Sequence, residues 1–236
     1  TYLETDLMPD VLHLQQQEID TADKRGKYSV CVVGCGQIGM QYAAAFVEAG
    51  FRVTCADADQ SVIRRFTKGK PSLSRQQELE SKVKGYVRAG TLNVTSDLKT
   101  AAAQSNIIIL GIALKVDEKK TANFSVAEAL CKQIGPVIQK GTLVINGGAT
   151  SYGFTEGVVK ETLENASGFK VGADFGLAYA NVQVVEQDKT AETGNSQPWI
   201  VAANDKLSLD SASLILSTIT KSEIRKVTSI KLAELA

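Results

Sequence analysis

Short unbroken apolar runs recur along the chain, each followed by a stretch in which apolar residues return at helical spacing. Residues 30–33 (Val, Cys, Val, Val) form such a run, as expected of a strand buried on both faces of a parallel sheet. The stretches 106–112, NIIILGI, and 142–146, TLVIN, repeat it, and Phe51, Val53 and Cys55 alternate along a further strand. Shorter strands are expected at 92–95, 169–173 and 199–203. Between them the spacing predicts helices over 40–49, 60–66, 78–87, 97–103, 126–134, 155–164 and 207–219. Asp59 caps the second of these, Ser125 and Glu128 form a capping box for 126–134, and Gly50 and Gly90 are helix stops. The alternation predicts an α/β fold: a Rossmann-type doubly wound, mostly parallel sheet with helices on both faces. Residues 1–26 read as an N-terminal helical arm outside the domain, or on a partner subunit, and 27–220 as the domain itself. From Ser229 a helix begins that is still running at the last residue, so 221–236 reads as the start of a further helix and the chain is expected to be a piece of a longer protein.

The first strand leads into VVGCGQIGM, in which Gly34, Gly36 and Gly39 make GxGxxG around Gln37 and Ile38. The first glycine permits a tight turn, the second lets a pyrophosphate approach the backbone closely, and the third lets the next helix pack on the strand. That helix would direct its free N–H groups and positive dipole end at the pyrophosphate. The following strand delivers Asp57, whose carboxylate can accept from both hydroxyls of an adenosine ribose and would repel a 2′-phosphate. A strand, a glycine turn, a helix and an acid in this order point to NAD. With no arginine directly after Asp57, NAD is favoured over NADP, although Arg64 and Arg65 lie a turn or two further on. Gly111 falls where open α/β sheets bind ligands, at the carboxyl end of the 106–112 strand.

Composition narrows the class. Twenty-six acidic and 26 basic residues balance to zero formal charge, which argues for no nucleic acid and no anionic membrane as partners. No apolar run approaches the ~20 residues of a spanning helix, and residues 1–20 lack the pattern of a signal peptide, so a cytoplasmic protein is expected. The four cysteines, Cys31, Cys35, Cys55 and Cys131, lack CxxC spacing and read as buried reduced thiols, with no metal expected. His13 is the only histidine and lies in the arm, so proton transfer must use other groups.

Several separate motifs resemble the UDP-glucose/GDP-mannose dehydrogenase family, and the match is similar to its members acting on UDP-N-acetylmannosamine and related sugars. VVGCGQIG matches that family's glycine loop and ADAD its acid after the second strand. TKGKP, TSDL, VDEKKTANFSV, GTLVINGGATSYGFTE and TSIKLAELA are similar to its later motifs, the last to the A-E-L-x-K that opens the central helix. The resemblance implies oxidation of a UDP-sugar C6 alcohol to the acid with two NAD, a cysteine and a lysine as main catalytic groups that this chain does not contain, and a homodimer formed through the central helix. It also implies candidate catalytic positions. Thr150 lies beside the place of the family's E-S-T, where this chain has glycine and alanine, and Asp174 stands for the glutamate of its P-E-F. The family's P-T-P is replaced by Ala113, Leu114 and Lys115.

Each candidate has a plainer reading beside it. Asp174 is equally a strand-end carboxylate capping a turn, and Thr150 a loop residue bonded to backbone. Lys115 is a solvated loop lysine, and Tyr152, Tyr179 and Trp199 are packing or interface aromatics. Two other functions stay open: a β-hydroxyacid or 6-phosphogluconate type dehydrogenase on the same scaffold, and a dinucleotide-binding protein without turnover.

Overall fold

A computed structural model of the chain describes residues 8–67, 77–112, 115–116, 122–148, 150–181 and 198–235. The expected motif residues 68–71, Ala113, Leu114, Ala149 and Ala236 lie outside them.

The strands are β1 (Ser29–Val33), β2 (Arg52–Ala56), β3 (Leu92–Thr95), β4 (Ile107–Leu110), the two-residue hairpin β5 (Lys115–Val116) and β6 (Ala122–Asn123), β7 (Leu143–Asn146), β8 (Gly176–Asn181), β9 (Trp199–Ala202) and β10 (Ile224–Val227). The helices are α1 (Ala22–Arg25), α2 (Gln37–Glu48), α3 (Gln60–Thr67), α4 (Gln77–Arg88), α5 (Leu98–Ala103), α6 (Ser125–Ile134), α7 (Glu161–Ser167), α8 (Lys206–Ser217) and α9 (Ile230–Ala233). One sheet holds eight strands in the order β10-β9-β8-β7-β4-β1-β2-β3. From β3 to β8 all neighbours are parallel. β9 pairs antiparallel with β8, and β10 parallel with β9. The strand order reverses between β1 and β4, which makes the crevice above their carboxyl ends the place for a ligand.

The apolar runs divide residue by residue between the two faces. Val30, Val32, Ile107, Ile109, Leu143 and Ile145 join one core with α2 and α8, while Cys31, Val33, Ile108, Leu110 and Val144 join the other with α5 and α6. Side chains in a strand alternate in direction, so an uninterrupted run is what a two-sided core requires.

Several expectations need correction. The arm contains two short helical turns, Gln16–Glu18 and α1, and Val11, Leu12, Leu14 and Ile19 are buried in the main core. It lies along the amino edge of the sheet. Val11 N–H donates to Gly141 (3.1 Å), Asn106 Nδ2 to the Pro9 carbonyl (2.9 Å) and Ser211 Oγ to the Val11 carbonyl (2.5 Å). No capping box forms at Ser125, which is the first helical residue. Asn123 Oδ1 instead accepts from its N–H (2.9 Å) and hydroxyl (2.7 Å), while Glu128 pairs with Lys132. Residues 169–173 form a turn with one bridge, Val171 to Phe175, and the strand begins later as β8. Its sequence GLAYAN has no β-branched residue and a weak strand propensity. Packing selects it nevertheless: a side-chain Cβ at Gly176 would stand 2.5 Å from Leu12 and 2.7 Å from Leu143. β10 passes unmarked in the sequence because it is an edge strand with exposed Arg225 and Lys226, as edges usually are.

Candidate functional site

At the end of β1 the chain reverses through Gly34, whose φ of +93° is unfavourable for any residue with a Cβ. Helix α2 starts at Gln37, three residues earlier than its apolar spacing predicts, so Gly39 falls in its first turn. A Cβ on Gly39 would lie 1.8 Å from the Gly34 carbonyl oxygen, and one on Gly111 would lie 2.9 Å from Gly39 Cα. Turn, helix and the end of β4 are therefore in backbone contact. Gly36 differs: a Cβ there would meet nothing among the described residues within 4 Å. Gly36 is the N-cap of α2, with no side chain capping it, so the first-turn N–H groups, including those of Gln37, Ile38 and Gly39, have no intrahelical partner. They border the open space over Gly36. This arrangement fits an anion with several acceptor oxygens.

Asp57 sits one residue past β2, half-buried. Its Oδ2 accepts from Cys35 N–H inside the glycine turn (2.8 Å), and its Oδ1 from Asp59 N–H (2.9 Å). Those bonds aim the carboxylate along the rim and leave each oxygen a further lone pair. Among the described residues Asp57 has no ion pair, and Arg64 and Arg65 are exposed on α3, Arg65 lying over the Phe66 ring at 5.8 Å.

On the other side of the reversal, the carboxyl ends of β4 and β7 carry Gly111 and the loop 147–150. A Cβ on Gly147 would fall 2.4 Å from the Tyr42 hydroxyl, and one on Gly148 2.2 Å from the Ile112 carbonyl. Packing thus enforces glycine at both 147 and 148. Tyr42 is 1% exposed, and among the described residues its hydroxyl has no hydrogen-bond partner. Burial pushes its pKa up. Beyond the loop, Thr150 Oγ1 donates to Glu234 Oε1 at 2.8 Å, and the same carboxylate accepts from Gly153 N–H (2.7 Å) and Thr155 N–H (2.8 Å). Asn146 Nδ2 donates to Thr155 Oγ1 at 2.8 Å. A π turn over Thr155–Lys160 then runs into α7. Neither Glu234 nor Tyr42 stands out in the sequence. The A-E-L motif contains Glu234, but nothing local in it points to a loop 84 residues away.

Asp174 is not brought to this rim. It precedes Gly176, the first residue of β8 and the register partner of Leu143, and so lies at the amino edge, whereas the rim is at Asn146 and Asn181. Its carboxylate pairs with Lys140 (3.0 Å) and accepts from Lys170 N–H (3.0 Å). The lysine holds it below the usual carboxylate range. The plainer reading, a carboxylate capping a turn, is what the structure shows. A residue at the rim on this strand must sit at its carboxyl end, Asn181, or after it.

All four cysteines are free and buried. Burial raises Cys31, and raises Cys131 to about 12, while Cys35 is raised first by a hydrogen bond with Cys55 and then by burial. Thiols so protonated are poor nucleophiles. Among the described residues no three His, Cys, Asp or Glu side chains group as metal ligands.

The family model described as the UDP-glucose/GDP-mannose dehydrogenase family, NAD binding domain, matches residues 28–220. The chain belongs to this family. The cofactor of this domain is NAD, and the uncapped α2 terminus, the open Gly36 and the anchored Asp57 fit it. A UDP-glucose 6-dehydrogenase of Pseudomonas aeruginosa is 26% identical over 129 residues, 55% of this chain and 28% of that protein. A UDP-N-acetyl-D-mannosamine dehydrogenase of Campylobacter jejuni is 31% identical over 138 residues, 58% of this chain and 33% of the relative. The crystal structure of an NDP-N-acetyl-D-galactosaminuronic acid dehydrogenase from Methanosarcina mazei superposes with a TM-score of 0.76 at 25% identity, covering 92% of this chain and 48% of that one. The chain thus spans half or less of the length of these relatives.

Proposed function

We propose that the chain is the NAD-binding portion of a nucleotide-sugar 6-dehydrogenase that oxidises the C6 alcohol of a UDP-sugar, of the UDP-N-acetylmannosamine type, to the uronic acid with two NAD. The observation that carries this reading is the free N-terminus of α2 over the open space at Gly36, with Asp57 tied across the same turn through Cys35. The α2 N–H groups of Gln37, Ile38 and Gly39 hold the pyrophosphate and Asp57 the adenosine ribose. The nicotinamide half then points across Gly111 toward the β7 loop and Thr150. Bound NAD accepts the hydride; this chain's residues bind and orient it. The sugar and the groups that react with it belong to the part of such a dehydrogenase beyond the matched residues. Free buried thiols suit a reducing, cytoplasmic setting. Leu232 and Leu235, 64% and 66% exposed on and just after α9, suit a homodimer through the central helix.

Calorimetric titration of the 236-residue chain with NAD, NADP and UDP-sugars tests this. Saturable NAD binding, weaker NADP binding and little or no UDP-sugar binding are expected; a chain that binds neither dinucleotide would sink the proposal. A second reading, a dinucleotide-binding protein without turnover, is favoured by the packing that excludes side chains at Gly147 and Gly148. Turnover of a UDP-sugar by the full-length protein decides between them.

A further inference from the structure

The Thr150 hydroxyl has one proton, and the structure shows where it goes. Glu234 Oε1 accepts it at 2.8 Å, while the other acceptor in reach among the described residues, the Ser151 carbonyl, is at 3.3 Å. Glu234 is itself held in place, because Gly153 and Thr155 N–H groups donate to its two oxygens. An ionised carboxylate only accepts, so it cannot return a proton to Thr150. The hydroxyl is left with lone pairs alone for anything on its other side. Thr150 is four residues past the end of β7, and β7 is separated from β1 by β4 only. At about 4.8 Å per strand the carboxyl end of β7, from which this loop leaves, is ~10 Å from that of β1, on the side away from Asp57.

On the NAD reading given above, we propose that Glu234 is a positioning residue that fixes Thr150 as a hydrogen-bond acceptor for the nicotinamide carboxamide N–H. The site thereby selects a carboxamide over a carboxylate in that position. Glu234 acts through Thr150 and touches no reacting atom. A ligand carboxylate there would meet an acceptor with a second carboxylate behind it, losing a hydrogen bond and adding repulsion.

The test is titration of the whole chain with NAD, with nicotinic acid adenine dinucleotide, which carries a carboxylate instead of the carboxamide, and with ADP-ribose, which lacks the ring. The unaltered protein is expected to bind NAD about tenfold more tightly than the nicotinic acid dinucleotide, the size of one lost hydrogen bond. Thr150→Val and Glu234→Gln should bring that ratio toward one with ADP-ribose affinity unchanged, and Thr150→Ser should keep it. A merely structural Glu234 would lower thermal stability and leave the ratio alone. Should Glu234→Gln not fold, Thr150→Val decides, because it keeps both backbone caps. An unaltered protein without the preference, or a Thr150→Val protein that retains it, overturns the proposal while NAD binding stands. Failure of the unaltered chain to bind NAD or ADP-ribose overturns the NAD reading along with it.

Discussion

The two halves of the proposed cofactor rim, one assigned to the adenosine and one to the nicotinamide, are built in different ways. The adenosine side, from Ser29 to Asp57, is assembled from one continuous stretch: β1, the glycine turn, α2, β2 and an acid that reaches back only 22 residues to Cys35 N–H. The nicotinamide side joins pieces from across the chain. Tyr42 of α2 lies under Gly147, Ile112 of the β4 end under Gly148, and Glu234 closes the corner 79 to 84 residues after the groups it binds. A local unit tolerates change elsewhere, whereas a composite one depends on every segment that meets there.

The largest effect expected is at Gly39. Gly39→Ala puts a Cβ 1.8 Å from the Gly34 carbonyl, and such overpacking against backbone should cost about 3 kcal/mol or more, read as the urea midpoint. Gly36→Ala is the contrast. With nothing among the described residues within 4 Å it should cost under about 1 kcal/mol of stability yet weaken NAD binding sharply. Equal effects at the two glycines would break the division into a packing glycine and a binding one.

Asp57→Ala comes next. Losing charged acceptors for the ribose should weaken NAD about 10- to 100-fold, and NADP less, so the preference between them narrows in paired titrations. Unchanged NAD affinity would count against the adenosine half as described.

On the composite side, Tyr42→Phe should act in the opposite direction. It removes a buried hydroxyl that has no partner among the described residues, worth a gain of about 1 kcal/mol and, for a chain of this size, a rise in melting temperature of about 2–4 °C. A loss would reveal a partner for the hydroxyl.

The smallest effect is expected at Asp174. Far from the rim and paired with Lys140, Asp174→Ala should leave NAD affinity unchanged and shift the unfolding midpoint slightly. The same group gives a pH dependence. Asp174 is lowered by Lys140 and Asp210 by Lys206 and Lys226. For Glu164 burial works upward but is outweighed by the Val171 N–H and Lys170. A depressed folded-state pKa adds stability that is present above the unfolded pKa, near 4, and lost as pH falls through the folded value. The urea midpoint should therefore hold from neutral pH down to about 5 and decline below about 4, less steeply in Asp174→Ala.

How much of this was legible follows from range. Residues 30–57 announced their structure because each step rests on near neighbours: an apolar run, three glycines, a helix and an acid. The fold class and the cofactor followed from that stretch and from the strand–helix alternation. β8 was invisible because its small residues carry no strand preference, and β10 because an edge strand shows no apolar run. Asp174 was misplaced for the same cause, since without the start of β8 nothing tells which edge of the sheet a preceding acid occupies.

The sequence by itself determined the α/β class, the two-sided core and the tight turn into α2, because backbone geometry at Gly34 and Gly39 and side-chain alternation in strands act over a few residues. Only the tertiary structure decided that the amino-terminal arm joins the core, that glycine is required at 147 and 148, that Asp174 faces away, and that Glu234 holds Thr150. Those outcomes depend on which distant segments come into contact, and contact at long range is set by the packing of the whole sheet.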